Sequence, residues 1–175
     1  NGKVQFEELN FTKEYLENLN KIYIVACGTA MHAGLVAKNI IEKICKIQTE
    51  VDIASEFRYR DPIIDEKTLC IFISQSGETA DTIAALKLSK EKGAKTLAIS
   101  NVIGSSIAVA STKAYTSQVV LLAILAIYFA EILKKNSSYI SQLKKDILEL
   151  PKKIEETLKI SENIKDFAKQ VYQEK

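Results

Sequence analysis

The segment Leu69–Thr82, LCIFISQSGETADT, restricts the possible folds more than any other part of the sequence. It opens with five apolar residues, Leu69 to Ile73, without polar alternation. Such a run suits a strand buried on both faces of a parallel sheet. The chemistry changes at Ser74, and Ser74, Gln75, Ser76, Gly77, Glu78 and Thr79 follow without a break. Gly77 permits a tight turn. Ser76 is suited to cap a helix running from Glu78 to about Lys92, because its oxygen can accept from the first-turn N–H groups. Those N–H groups and the helix dipole favour an anion, and the hydroxyls of Ser74, Ser76 and Thr79 add donors around the same point. The segment reads as a cradle for a phosphate group. Taken alone, it reads more readily as a well-capped strand-to-helix turn, since Ser and Thr caps are common.

The surrounding pattern favours the cradle. Strands are expected at Ile22–Ala26, Val51–Ala54, Leu69–Ile73 and Thr96–Ile99, with helices between them. Gly93 closes the helix after the third strand, with Lys90 and Lys92 in its last turn. This alternation predicts a doubly wound α/β parallel sheet, a flavodoxin-like three-layer sandwich. A short lead-in helix is expected at Thr12–Leu19, and Ser55–Arg60 as a loop or single helical turn before Asp61-Pro62. After Asn101 the pattern falters, and a fifth strand that such a sheet would accept is not evident. An apolar helix follows, from about Lys113 to Lys134, and then three charged helices, with Pro151 opening the second of them.

Ligands in such sheets bind beyond the carboxyl ends of the strands. Three polar helix starts fall near that edge: Cys27-Gly28-Thr29-Ala30, Ser74–Thr79, and Val109 to Thr112. Together they suit a small, anionic, hydroxyl-rich ligand. His32, the one histidine, lies in a helix first turn and is expected to be a neutral packing residue rather than a base. Glu78 is expected to have a structural role, and Glu56 and Arg58 to form a local ion pair.

Composition excludes several classes. The 175 residues suit one domain with a sizeable core. A net charge of +2, with no basic stripe interleaved with aromatics, argues against nucleic acid. Cys27, Cys45 and Cys70 form neither a CxxC nor a Cys/His cluster, so reduced thiols and no metal site are expected. The most apolar run, Val119–Ala130, falls short of the ~20 residues a span needs. No membrane partner and a cytoplasmic location are expected.

The segments IYIVACGTAMHAGL, VDIASEFRYRDPII, FISQSGETADT, LAISNVIGSS and VASTKAYTSQ resemble the first half of the isomerase region of the glutamine–fructose-6-phosphate aminotransferase family, a sugar isomerase (SIS) domain. The likeness runs from about Lys21 to Pro151. SQSGET alone is common to SIS proteins, whereas SEFRYR and VASTKAYTSQ point to this family. The resemblance implies a fructose 6-phosphate ligand, with phosphate at Ser74, Gln75, Ser76 and Thr79. It places the sugar against Cys27, Gly28, Thr29 and Ala30, with Val109 and Ser111 closing over it. Ala30 stands where the family has Ser. It further implies no cofactor, a homodimer, and a domain at residues 21–150 between a lead-in (1–20) and a helical linker (151–175). About sixteen family residues, a strand among them, are missing between Ala108 and Val109. The glutaminase domain and the second SIS half, which carries the family's acid–base groups, are missing too. The chain is therefore expected to bind substrate without turning it over. Two other readings fit the residues: a sugar-phosphate-sensing module of a regulator, and a stand-alone sugar-phosphate isomerase.

Overall fold

The computed structural model describes residues 2–100, 115–135 and 137–173. They fall into two compact units, Asn1–Asn136 and Ser137–Lys175.

The first unit is built on four parallel strands: β1 (Lys21–Ala26), β2 (Thr49–Ile53), β3 (Thr68–Ser74) and β4 (Lys95–Ser100). Their order is β2-β1-β3-β4. Every residue of β3 is buried, as its unbroken apolar run requires. The order reverses between β1 and β3, and in open α/β sheets ligands collect at that switch point.

Helices cover both faces of the sheet. α2 (Thr29–Cys45) packs on α5 (Tyr115–Ile132), and the Cys45 thiol reaches the Ala126 carbonyl at 3.3 Å. α2 presses close to the strands at Gly34, where an added Cβ would lie 2.9 Å from Ile24 Cγ2 and 3.2 Å from Val51 Cγ1. α3 (Ala54–Tyr59) packs on α4 (Ala80–Glu91). Tyr23, Val25, Phe57, Cys70, Phe72, Ala85 and Leu86 form the core on that side. The three-layer α/β sandwich expected from the alternating pattern is the one observed.

Local differences have local causes. Of the loop or single helical turn expected at Ser55–Arg60, the helix forms, as the short α3, because Ala54 and Phe57 anchor it by burying one face. The lead-in helix is only α1 (Lys13–Glu17), capped by Thr12 Oγ1, which accepts from Tyr15 N–H at 3.1 Å. α5 is longer than the apolar run in the sequence and has the length and apolarity to cross a membrane. Here Leu122, Leu125, Ala126, Phe129 and Ala130 are buried in the unit, and α5 acts as a core helix.

The second unit contains one helix, α6 (Ser138–Gln173), where three were expected. Pro151 lies inside it and does not break it. Proline removes one intrahelical hydrogen bond, and on this exposed helix water can serve the carbonyl that is left. Lys145–Glu149 and Lys153–Glu149 ion pairs at 3.8 and 3.7 Å flank the position.

Candidate functional site

The site lies beyond the carboxyl ends of β1 and β3. After β1, Gly28 adopts φ +59° and ψ −137° at the start of α2, a conformation that needs glycine. The turn brings Thr29 to the surface and tucks Ala30 inward. After β3, Gly77 turns with φ +71°.

The loop between β3 and α4 is held by its own hydroxyls. Ser74 Oγ accepts from Gly77 N–H at 3.1 Å and lies 3.1 Å from Thr79 Oγ1. Ser76 Oγ accepts from Glu78 N–H at 3.2 Å. Ser76 is therefore not the cap of α4. The helix starts at Ala80, two residues later than expected, and Thr79 occupies the cap position. Residues 74–79 are taken up by side-chain-to-backbone turns, which compete with helix. The chemical result still suits an anion. A serine hydroxyl that accepts an N–H keeps its own O–H as a donor, so Ser76 can accept from the loop and donate outward, while Ser74 and Thr79, bonded to each other, keep one outward hydroxyl proton between them.

A cavity of about 480 Å³ opens here, lined by Cys27, Thr29, Ala30, Ile73, Ser74, Gln75, Ser76, Thr79, Thr82 and Gln118. Seven of the residues singled out in the sequence thus meet in one space: Cys27, Thr29, Ala30, Ser74, Gln75, Ser76 and Thr79. Gly28 shapes the rim through its backbone. Val109 and Ser111 lie outside the described residues. Thr82 and Gln118, both buried, also line the cavity and were not foreseen. Thr82 follows Thr79 by three residues, one turn on the same helical face. Gln118 is a lone amide near the start of an apolar helix, a signal that could have been read.

Among the described residues, the lining includes no Lys, Arg, His, Asp or Glu. His32 is exposed on α2 and is not the packing residue expected. Arg58 does not stay with Glu56: its Nη1 reaches across to Asp81 Oδ1 on α4 at 3.1 Å. Arg60 pairs with the buried Asp52 at the end of β2. Burial pushes the Cys45 and Cys70 thiols up, to about 12 and about 11 respectively, and neither lines the cavity. No group of three or more His, Cys, Asp or Glu side chains suited to a metal occurs among the described residues.

A family profile described as SIS domain matches residues 15–128. The chain belongs to the SIS domain family. Its SIS sequence is 50% identical to glutamine–fructose-6-phosphate aminotransferase (isomerizing) of Clostridium perfringens, over 99% of this chain and 31% of that protein. It is 42% identical to the enzyme of the same name from Corynebacterium glutamicum, over 94% of this chain and 29% of that protein. The chain thus spans under a third of the length of these curated relatives. The Clostridium match runs over 190 positions against 175 residues here, so the relative carries extra residues within the matched span.

Among solved structures, the SIS fold superposes on the C-terminal domain of glucosamine-fructose-6-phosphate aminotransferase from Francisella tularensis. The TM-score is 0.68 and the identity 39%, covering 80% of this chain and 43% of that one. Glucosamine-6-phosphate deaminase from Thermotoga maritima shares the fold at TM-score 0.62 and 19% identity, over 80% of this chain and 50% of that one.

Proposed function

We propose that the chain is the fructose 6-phosphate-binding part of a glutamine–fructose-6-phosphate aminotransferase. The whole protein would convert fructose 6-phosphate and glutamine to glucosamine 6-phosphate and glutamate. The observation that carries this reading is the convergence of Ser74, Gln75, Ser76 and Thr79 with Cys27, Thr29 and Ala30 on one cavity at the switch point of the sheet. The similarity to aminotransferases of that name supports the choice of ligand.

In this reading the phosphate sits at Ser74, Gln75, Ser76 and Thr79, receiving hydroxyl protons at the start of α4. The sugar chain extends toward Cys27, Gly28, Thr29 and Ala30, with Val109 and Ser111 beside it. No general base lines the cavity among the described residues, so this part binds and orients while proton transfer falls to the rest of the protein. Residues 21–150 form the sugar-phosphate domain, preceded by a lead-in and followed by a helical linker. The protein works in the cytoplasm as a homodimer. Exposed Leu35, Val36 and Tyr115 on the first unit, and exposed Leu148, Leu158 and Ile160 on α6, offer apolar surface for pairing.

Calorimetric titration of fructose 6-phosphate tests the reading. Ser76→Ala is expected to weaken it by roughly 10- to 100-fold, from a charged hydrogen bond of ~1.5–3 kcal/mol. The weak affinity for unphosphorylated fructose should not change. Equal affinity of parent and variant for fructose 6-phosphate would place the phosphate elsewhere.

A further inference from the structure

On the anion reading, the described lining would hold a phosphate without a basic side chain. That lining has hydroxyls, a thiol and amides. The charges nearest in sequence are of the wrong sign: exposed Glu78 lies in the loop itself, and Asp81 follows at the helix start. Asp81 is the acidic residue in the first turn of α4, two residues past Thr79, which is about 3 Å along the axis. A carboxylate there stabilises the helix start but opposes a phosphate at the same end. It does not line the cavity. Even so, residues on one helical turn lie within the ~8–10 Å over which charges act at physiological salt.

Arg58 meets that carboxylate. It projects from the last turn of α3, and its guanidinium rests over the Tyr59 ring, 4.6 Å from the centroid. The side chains are 34% and 41% exposed, and pairs so exposed contribute little to stability. Their charge on a neighbouring ligand is a separate matter.

We infer that Arg58 is a positioning residue for anion affinity: by neutralising Asp81 it allows a phosphate dianion to occupy the α4 start without a bare carboxylate behind it. This rests on the anion reading of the cavity. Arg58 touches no ligand; it acts through Asp81. The other charged groups near this end of α3 and α4, exposed Glu78, exposed Glu56 and Arg60 with its partner Asp52, are constant across the variants below, as are Lys87, Lys90 and Glu91 further along α4.

The test titrates inorganic phosphate into the full chain and into Arg58→Gln, Asp81→Asn and the double variant, at about 0.05 M and about 0.5 M salt. At low salt, Arg58→Gln should bind phosphate roughly three- to tenfold more weakly, and high salt should narrow the gap. Asp81→Asn should bind at least as well as the parent, and the double variant should match Asp81→Asn. A packing role for Arg58 predicts the opposite, since the double variant also lacks the contact. A double variant no better than Arg58→Gln, or a salt-independent loss, overturns the inference. Fructose 6-phosphate titrated in parallel separates the two readings. A parent that binds phosphate but gains nothing from the sugar sinks the sugar-phosphate assignment and leaves the charge balance decided by the phosphate data. A parent that binds neither overturns both.

Discussion

Ser74 Oγ and Thr79 Oγ1 lie 3.1 Å apart and join the last residue of β3 to the cap position of α4. The same Ser74 oxygen accepts the N–H of Gly77, so one buried hydroxyl closes the loop from both sides. Ser74→Ala strands that N–H away from water, at a cost of about 1–3 kcal/mol. The variant should melt several degrees below the parent and lose fructose 6-phosphate affinity in the same preparation. Thermal melts with and without ligand check both. An unchanged melting temperature would mean the loop finds another acceptor.

At Gly34, α2 lies close against the sheet. In Gly34→Ala the new methyl meets Ile24 and Val51, whose branched side chains are stiff. Overpacking of this kind costs about 1–3 kcal/mol, against a gain of under ~1 kcal/mol from replacing glycine in a helix. The expected net is a loss, seen as a lower urea midpoint with unchanged slope. A rise in the midpoint would show that the helix can lift off the strands without loss.

The three thiols should separate on alkylation. The buried Cys45 and Cys70 thiols, pushed up to about 12 and about 11, hold little thiolate at pH 8. They should react only when the chain unfolds. Cys27 is partly exposed and lines the cavity, so iodoacetamide should mark it first and fructose 6-phosphate should protect it. Peptide mass spectrometry reads the order. Labelling of Cys27 that ignores saturating ligand would put the sugar elsewhere.

Lys21 and Glu50 join β1 to β2 through a 2.6 Å contact, and the Lys21 hydrogen bond holds the Glu50 carboxyl below its usual range. A carboxyl depressed in the folded state stabilises above its unfolded pKa, ~4.3, and that share is lost as pH falls through the folded value. Glu50→Gln should therefore cost up to ~1 kcal/mol at pH 7 and nothing at pH 2–3. Urea titrations at the two pH values test the sign. An equal cost at both would show that the effect is packing and not charge.

Much of the fold was legible because each strand carried its own signal. β3 is an unbroken apolar run that ends at Ser74, and Gly93 closes α4 with φ +86°, as its place after Lys92 suggested. The start of α4 was not legible. By residue type Ser76 is the better cap, and the later start follows from Ser74 reaching both Gly77 and Thr79. The Arg58–Asp81 pair was hidden for a similar reason. Sequence proximity favours Glu56, and only the packing of α3 on α4 brings Asp81 within reach. Pro151 misled in the other direction: proline suits the first position of a helix, and here it lies inside one that continues through it.

The pairing of β1 with β3 joins positions 47 residues apart along the chain, from Lys21↔Thr68 to Ala26↔Ile73. Closing so long a segment carries an entropic cost before the contacts repay it, and contacts of this separation slow folding. The two halves of the cavity come from those two strand ends, so a partly folded chain that has not made this closure has no cavity at all. On the proposed function, ligand would bind only after the long-range closure and would stabilise the whole sheet rather than a loop. Occupancy at 100 times the dissociation constant would add about 2.7 kcal/mol to global stability. Sugar phosphate abundance would in this way set how long the chain survives unfolding and proteolysis.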